Sequence, residues 1–262
     1  MIDTHCHLNF SPMVEDVPSV LQRAWAAGVT GIVIPGTDSD SSFSAVNIAR
    51  LFPGVYPAVG IHPSEVEKLG EDADAEIREL AELSTVVAIG EVGLDYHYFE
   101  GLDAAGIERV KFAQKALFTD MIQIAQEVQK PLIIHSRDCF EDIYEHMAAQ
   151  VPNHPAVIHC FTGSIEEAKQ WLELGYLLSF TGVITYKKNE ALREIVKHVP
   201  IEQMMIETDA PYLAPEGFRK ESCEPKFVRN VAECVAEVKG VSLEEVIDIT
   251  TETATSFFNI AL

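Results

Sequence analysis

Cationic side chains are scarce in this 262-residue sequence: 19 Lys and Arg stand against 41 Asp and Glu, a formal net charge of −22. Affinity for nucleic acid comes largely from Lys and Arg displacing counterions at phosphates, so a broad duplex-gripping surface is excluded. A local site whose positive charge comes from bound metal is not. The five cysteines form no CxxC pair. That argues against a disulfide scaffold and a Cys-based zinc knuckle, and for a reducing, cytoplasmic setting. No run approaches the roughly 18 uncharged apolar residues of a membrane span. The opening residues MIDTHCH lack the basic region and long apolar stretch of a signal peptide, so none is expected. Gly/Ser linkers, low-complexity tracts and charge blocks are missing too, which predicts one domain over residues 1–262. Nor is there a GxSxG nucleophile elbow or a GxxxxGK[ST] phosphate loop.

What the chain does have is 47% hydrophobic residues, enough to bury a core that offsets the entropy of ordering. They fall into eight short apolar runs: 1–3, 31–36, 55–61, 86–90, 131–135, 156–159, 176–180 and 203–207. Longer segments with helical spacing lie between them. The clearest carries Ile107, Val110, Ala113, Leu117, Met121, Ile124 and Val128, a single apolar stripe on a helix. Ser164 and Glu167 form a capping-box signature that opens another helix, Ser242 and Glu245 repeat it, and Gly175 is a natural helix stop. Short continuous strands alternating with amphipathic helices point to a parallel sheet covered by helices. Eight such units at this length predict an α/β fold, a single (β/α)8 TIM-type barrel. The competing doubly wound sheet usually carries a Gly-rich turn after its first strand, where this chain has Thr4-His5-Cys6-His7.

Histidine placement is the strongest signal. Of nine His, five sit at or just beyond the ends of apolar runs: His5, His7, His62, His135 and His159. Glu91 follows the fourth run and Asp209 the eighth. In a parallel barrel all strand C-termini gather on one face, so these seven side chains would converge there. Alternation along a strand puts His5 and His7 on one side and Cys6 on the other, letting both imidazoles grip one cation. Four imidazoles and two carboxylates exceed what one tetrahedral ion needs. The economical allocation is two divalent ions with one carboxylate bridging, a pair able to share a water and clamp both oxygens of a displacement. Mixed N/O ligands suit Zn, Mn, Co or Fe better than a dedicated Mg site without excluding Mg. Cys160 beside His159 reads as packing rather than a nucleophile, because adjacent strand residues face opposite ways.

In these residues the chain resembles the TatD family of metal-dependent deoxyribonucleases, within the amidohydrolase-like barrel superfamily. The resemblance is carried by the blocks 2–8, 60–63, 90–96, 131–138, 159–163 and 207–213, reading IDTHCHL, GIHP, GEVGLDY, PLIIHSRD, HCFTG and ETDAPYL. They run in order along nearly the whole chain. The resemblance implies a first ion on His5, His7 and Asp209, a second on His135 and His159, and Glu91 between them. It also implies hydrolysis of DNA, often from the 3′ end. One departure is the segment Arg219-Lys220-Glu221-Ser222-Cys223-Glu224-Pro225. Close family members tend to carry an Arg-Gly-Lys-x-Asn-x-Pro pattern there, of which this chain keeps the Arg and Pro.

The chemistry expected is metal-assisted phosphodiester hydrolysis by an activated water, with Asp209 as general base. His62 and Arg137 are candidates for phosphate contact, and His62 also for protonating the leaving oxygen. The acidic balance predicts a small footprint on single-stranded or frayed 3′ ends of DNA, with a shallow salt dependence. Two other readings stay open: hydrolysis of a small amide, lactone or phosphoester by the same centre, and a non-catalytic barrel scaffold. Oligomeric state has no signature here.

Overall fold

The computed structural model describes all residues except 71, 98, 100, 152 and 153. Eight strands form one sheet in sequential order: β1 (Ile2–Asp3), β2 (Gly31–Ile34), β3 (Val55–Val59), β4 (Ala88–Asp95), β5 (Leu132–Arg137), β6 (Ala156–Ile158), β7 (Leu177–Phe180) and β8 (Met204–Ile206). Every neighbouring pair is parallel. The seam between β8 and β1 is closed by residues just past the strands. Thr4 N donates to Ile206 O at 3.2 Å, Asp209 N to His5 O at 2.8 Å and His7 N to Ala210 O at 2.8 Å. Sequential order with that closure makes a TIM-type (β/α)8 barrel and removes the doubly wound alternative.

Helices α1 (Val17–Ala26), α2 (Ser39–Leu51), α3 (Ala73–Ala81), α4 (Ala104–Val128), α5 (Phe140–Gln150), α6 (Ile165–Glu173), α7 (Glu190–His198), α8 (Val228–Lys239) and α9 (Leu243–Phe258) follow the strands. The expected stripe on α4 buries Val110, Leu117, Met121 and Ile124. Ser164 caps α6 with the full reciprocal box, a device that stabilises a helix start by about 1 kcal/mol. At α9 only half of it forms: Ser242 accepts from Glu245 N, and no return bond from Ser242 N is made among the described residues. None of the helices described is long and apolar enough to cross a membrane.

Strand alternation separates two apolar layers. One residue from each of seven strands, Ile2, Val33, Ala58, Ala88, Ile133, Val157 and Met205, packs with Ala254 and Phe258 of α9. Their neighbours, such as Ile32, Ile89, Leu132 and Ile134, join the larger cluster shared with the helices. The barrel interior is thus filled toward its amino end, leaving the carboxyl end for polar side chains.

Candidate metal centre

Most of the sequence-predicted residues extend from, or just past, the strands at the carboxyl face. His5 and His7 lie two and four residues past β1, where Asp3 anchors the turn by accepting from Thr208 N at 2.9 Å and Thr208 Oγ1 at 2.6 Å. Asp209 follows β8 with φ 56°, in the left-handed region. Glu91 departs from expectation: it lies inside β4, not after it, because that strand runs on to Asp95. The β4–β5 register shifts between Ile89 and Val92. One extra residue on β4 makes a bulge, a device that re-aims side chains, and Glu91 sits in it. Gly93 keeps the strands close there, since a Cβ at φ 144° would fall 2.0 Å from His135 O.

The two oxygens of Glu91 face different histidine pairs. Oε2 lies 3.3 Å from His5 Nε2 and 3.6 Å from His7 Nε2, while Oε1 lies 2.7 Å from His135 Nδ1 and 3.0 Å from His159 Nε2. Asp209 Oδ1 completes the first set at 3.8 Å from His5 and 3.6 Å from His7. Donor atoms about 2.0–2.1 Å from one tetrahedral ion stand about 3.3–3.4 Å from each other. These spacings are close to that. Three groups among the described residues, His5/His7/Asp209, His5/Glu91/His159 and His62/Asp95/His135, each bring their ligand atoms within 4.8 Å of one another. Residue chemistry and geometry therefore fit divalent cations.

Electrostatics agree with that use. Burial alone would raise the Glu91 carboxyl, but His159, His62 and His5 around it hold it well below the usual range. Asp209, Glu207 and Asp95 are likewise held down by adjacent imidazoles against the effect of burial. Burial disfavours charge on His159 and His135. Carboxylates nevertheless carry both above the ordinary imidazole value, Glu91 and Glu207 for His159, Asp95 and Glu91 for His135. His5 is pushed down, by burial and then by repulsion from His159, whose ring stacks on it at 3.9 Å.

His62 joins the cluster, its Nε2 3.5 Å from Glu91 Oε1 and its ring edge-on to His135 at 4.3 Å. Burial lowers it to about 3, so the imidazole is neutral at physiological pH. Its Nδ1 accepts from Ser64 N at 3.1 Å, which leaves the proton on Nε2, facing the cluster. Arg137 ends β5 and lines the same cavity of about 750 Å³, together with Phe10, Tyr212 and Leu213. Cys160 also lines this cavity, contrary to the alternation argument. It has left the strand, with φ 47°, so alternation no longer governs it. Burial pushes its thiol up to about 12, which leaves it protonated and without a nucleophile's role.

Sequence reasoning missed two carboxylates. Asp95 Oδ2 lies 3.2 Å from His135 Nε2, and Glu207 Oε1 lies 3.3 Å from His159 Nδ1 while accepting from Cys160 N at 2.7 Å. Each stands behind a ring whose other nitrogen faces Glu91. The available signal was parity: Asp95 is four residues after Glu91 and Glu207 two before Asp209. The remaining His have local tasks, His97 beside Asp138, His146 beside Thr119, His154 beside Lys130 O and His198 beside Glu194 O.

A closed parallel barrel with clustered imidazoles and carboxylates at its carboxyl face defines the class, a metal-dependent hydrolase barrel. The family model described as TatD related DNase matches residues 2–259. The uncharacterized metal-dependent hydrolase YabD of Bacillus subtilis is 38% identical over 261 residues, covering 99% of each chain. The 3′-5′ ssDNA/RNA exonuclease TatD of Citrobacter rodentium is 33% identical over 270 residues, covering 100% of this chain and 99% of its own. Among solved structures, that of YjjV, the TatD homolog of Escherichia coli K12, matches with TM-score 0.90 and 29% identity over 100% of this chain and 98% of that one. The chain belongs to the TatD-related DNase family of metal-dependent hydrolases.

Proposed function

We propose that this hydrolase is a nuclease that removes nucleotides from the 3′ end of single-stranded or frayed DNA, with two divalent ions of Mg, Mn or Zn type. His5, His7 and Asp209 are assigned to the first ion, His135 and His159 to the second, with Glu91 bridging. The observation that carries this reading is the division of Glu91's oxygens between two histidine pairs, within a cavity of about 750 Å³. The activity named for the Citrobacter rodentium relative supports the substrate class. Bound there, such ions supply Lewis acidity toward a phosphoryl oxygen and lower the pKa of water.

The chain's own residues divide the remaining work. Asp209, ionised and at the cavity wall, is the acceptor for the proton of an attacking water. His62 directs a neutral Nε2–H into the cavity, which suits donation to a non-bridging phosphate oxygen. A proton transfer to the leaving oxygen does not suit a group held near 3, so that second role is dropped. Arg137 offers a further phosphate contact from the end of β5. We also place the enzyme, as one barrel over residues 1–262, in the cytoplasm; its five free thiols favour a reducing compartment.

The test is nucleotide release from 5′-labelled single-stranded DNA after chelation, with Mg, Mn or Zn added back. Stepwise shortening from the 3′ end is the expected result. Hydrolysis of a dihydropyrimidine or lactone, with DNA left intact, would replace the nuclease reading with that of an amide or lactone hydrolase.

A further inference from the structure

Most cations of this acidic chain are already engaged. Arg23 pairs with Glu224, Lys68 with Glu65, Lys115 with Asp142 and Arg229 with Glu233. Lys130 and Lys239 donate to carbonyls. Among the described residues, the ammonium groups of Lys169, Lys187, Lys188 and Lys220 have neither an ion pair nor a hydrogen bond. Three of these four stand on two adjacent segments of the carboxyl face, 181–189 after β7 and 207–227 after β8, and all three are exposed. Arg219, also exposed, belongs to the same group, with its guanidinium 4.4 Å over the Tyr186 ring and no carboxylate partner among the described residues.

The two segments form one firm wall. Arg193 donates from below to Ile184 O at 2.9 Å, Tyr186 O at 2.7 Å and Lys187 O at 3.2 Å. Across the gap, Tyr186 Oη donates to Ala214 O at 3.1 Å and Glu216 N to Thr185 Oγ1 at 2.7 Å. Gly182 packs so tightly that a Cβ there would lie 2.4 Å from Leu213 O. The same segments contribute Val183, Tyr212 and Leu213 to the cavity wall. Tyr212 of that wall is 54% exposed. After β3 the charges are paired off, Glu65 with Lys68 and Glu67 with Arg109.

We propose that these cations form a strand-guiding surface: nucleic acid whose terminal nucleotide lies at the metal centre runs out over the β7–β8 wall, with successive phosphates meeting Lys187, Lys188, Arg219 and Lys220. The assignment rests on the nuclease reading and extends it. A strand leaving on the β3 side would meet Lys68 and Arg109, cations already paired with carboxylates. Exposed cations without a carboxylate partner, carried on a hydrogen-bonded backbone on one side, give it a direction without a globally basic protein, because each phosphate contact adds its own counterion release. Bases unstacked from a duplex partner can follow such a curved wall.

The test compares wild type with Lys187→Ala/Lys188→Ala/Lys220→Ala, which keeps the Arg219–Tyr186 stack, on a 20-nucleotide oligothymidylate and on bis(p-nitrophenyl) phosphate. Each lost phosphate contact on a single strand takes about 0.7 from the slope of log(kcat/KM) against log salt, so the triple variant should lower its magnitude by about 2. KM for the oligonucleotide should rise about tenfold at low salt, with hydrolysis of the small diester unchanged. Lys169→Ala, on α6, should leave both substrates as in wild type. Unaltered oligonucleotide kinetics in the triple variant would overturn the surface while the nuclease reading stands. Equal losses on both substrates would also overturn it, by placing the damage at the centre itself. A wild type that cleaves the small diester and never shortens the oligonucleotide would remove both.

Discussion

The two histidine pairs that share Glu91, the two halves of the candidate metal centre, are built differently. His135 and His159 each have a carboxylate on the nitrogen turned away from Glu91, Asp95 and Glu207 respectively. His5 and His7 are buried to 0% and 3% exposure, yet neither Nδ1 has a hydrogen-bond partner among the described residues. A carboxylate behind a ligating imidazole fixes the ring and raises its basicity, and its loss typically costs about 10- to 100-fold in metal affinity. The lesson is that one shared carboxylate joins a braced half to an unbraced one. The braced half should hold its ion tightly and the other should exchange.

The strongest way to break this comparison is to remove what the halves share. Glu91→Gln substitutes an amide that cannot bridge as an anion, and His135→Ala empties the braced half of a donor. Both should lower DNA hydrolysis by about 1,000-fold or more with the circular-dichroism spectrum retained. Full activity in either would remove the dinuclear account. Next in size, Glu207→Gln and Asp95→Asn should weaken uptake of the first equivalent of Mn about 10- to 100-fold in a metal titration. No equivalent loss should reach the His5/His7 half. Equal weakening of both equivalents would erase the asymmetry.

The smallest effect is in protons. His159 is carried well above the ordinary imidazole value and His135 is raised, both by their carboxylates. In metal-free protein these rings thus keep their protons to higher pH than an ordinary imidazole, and ligation must displace them. His5 is lowered and has none to give. Filling the braced half below the raised values should therefore release protons, read from the buffer dependence of the calorimetric enthalpy. Release should fade as pH rises above the raised values. Metal uptake without proton release below them would show that the carboxylates do not charge these rings.

Much of this was legible in the sequence, for identifiable reasons. Strands such as 31–34 and 177–180 stand out because buried parallel strands are continuously apolar, and His5, His7, His135, His159 and Asp209 stand out because polar residues punctuate those runs. The run at 86–90 misled about β4, whose continuation Glu91–Asp95 mixes charge and glycine with apolar residues. A bulge depends on pairing with β5, which no local pattern encodes. Asp95 and Glu207 sat inside the quoted motifs without a role, since the ring nitrogen each one faces is fixed only by tertiary packing. Cys160 was placed on the wrong side because its left-handed backbone lies beyond the strand rule.

The most direct test of the shared carboxylate is an anomalous-difference map from crystals loaded with Mn. The account predicts two peaks roughly 3.5–4 Å apart, one between His5, His7 and Asp209, the other between His135 and His159, with a Glu91 oxygen on each. A single peak, or two peaks with Glu91 touching only one, would contradict it.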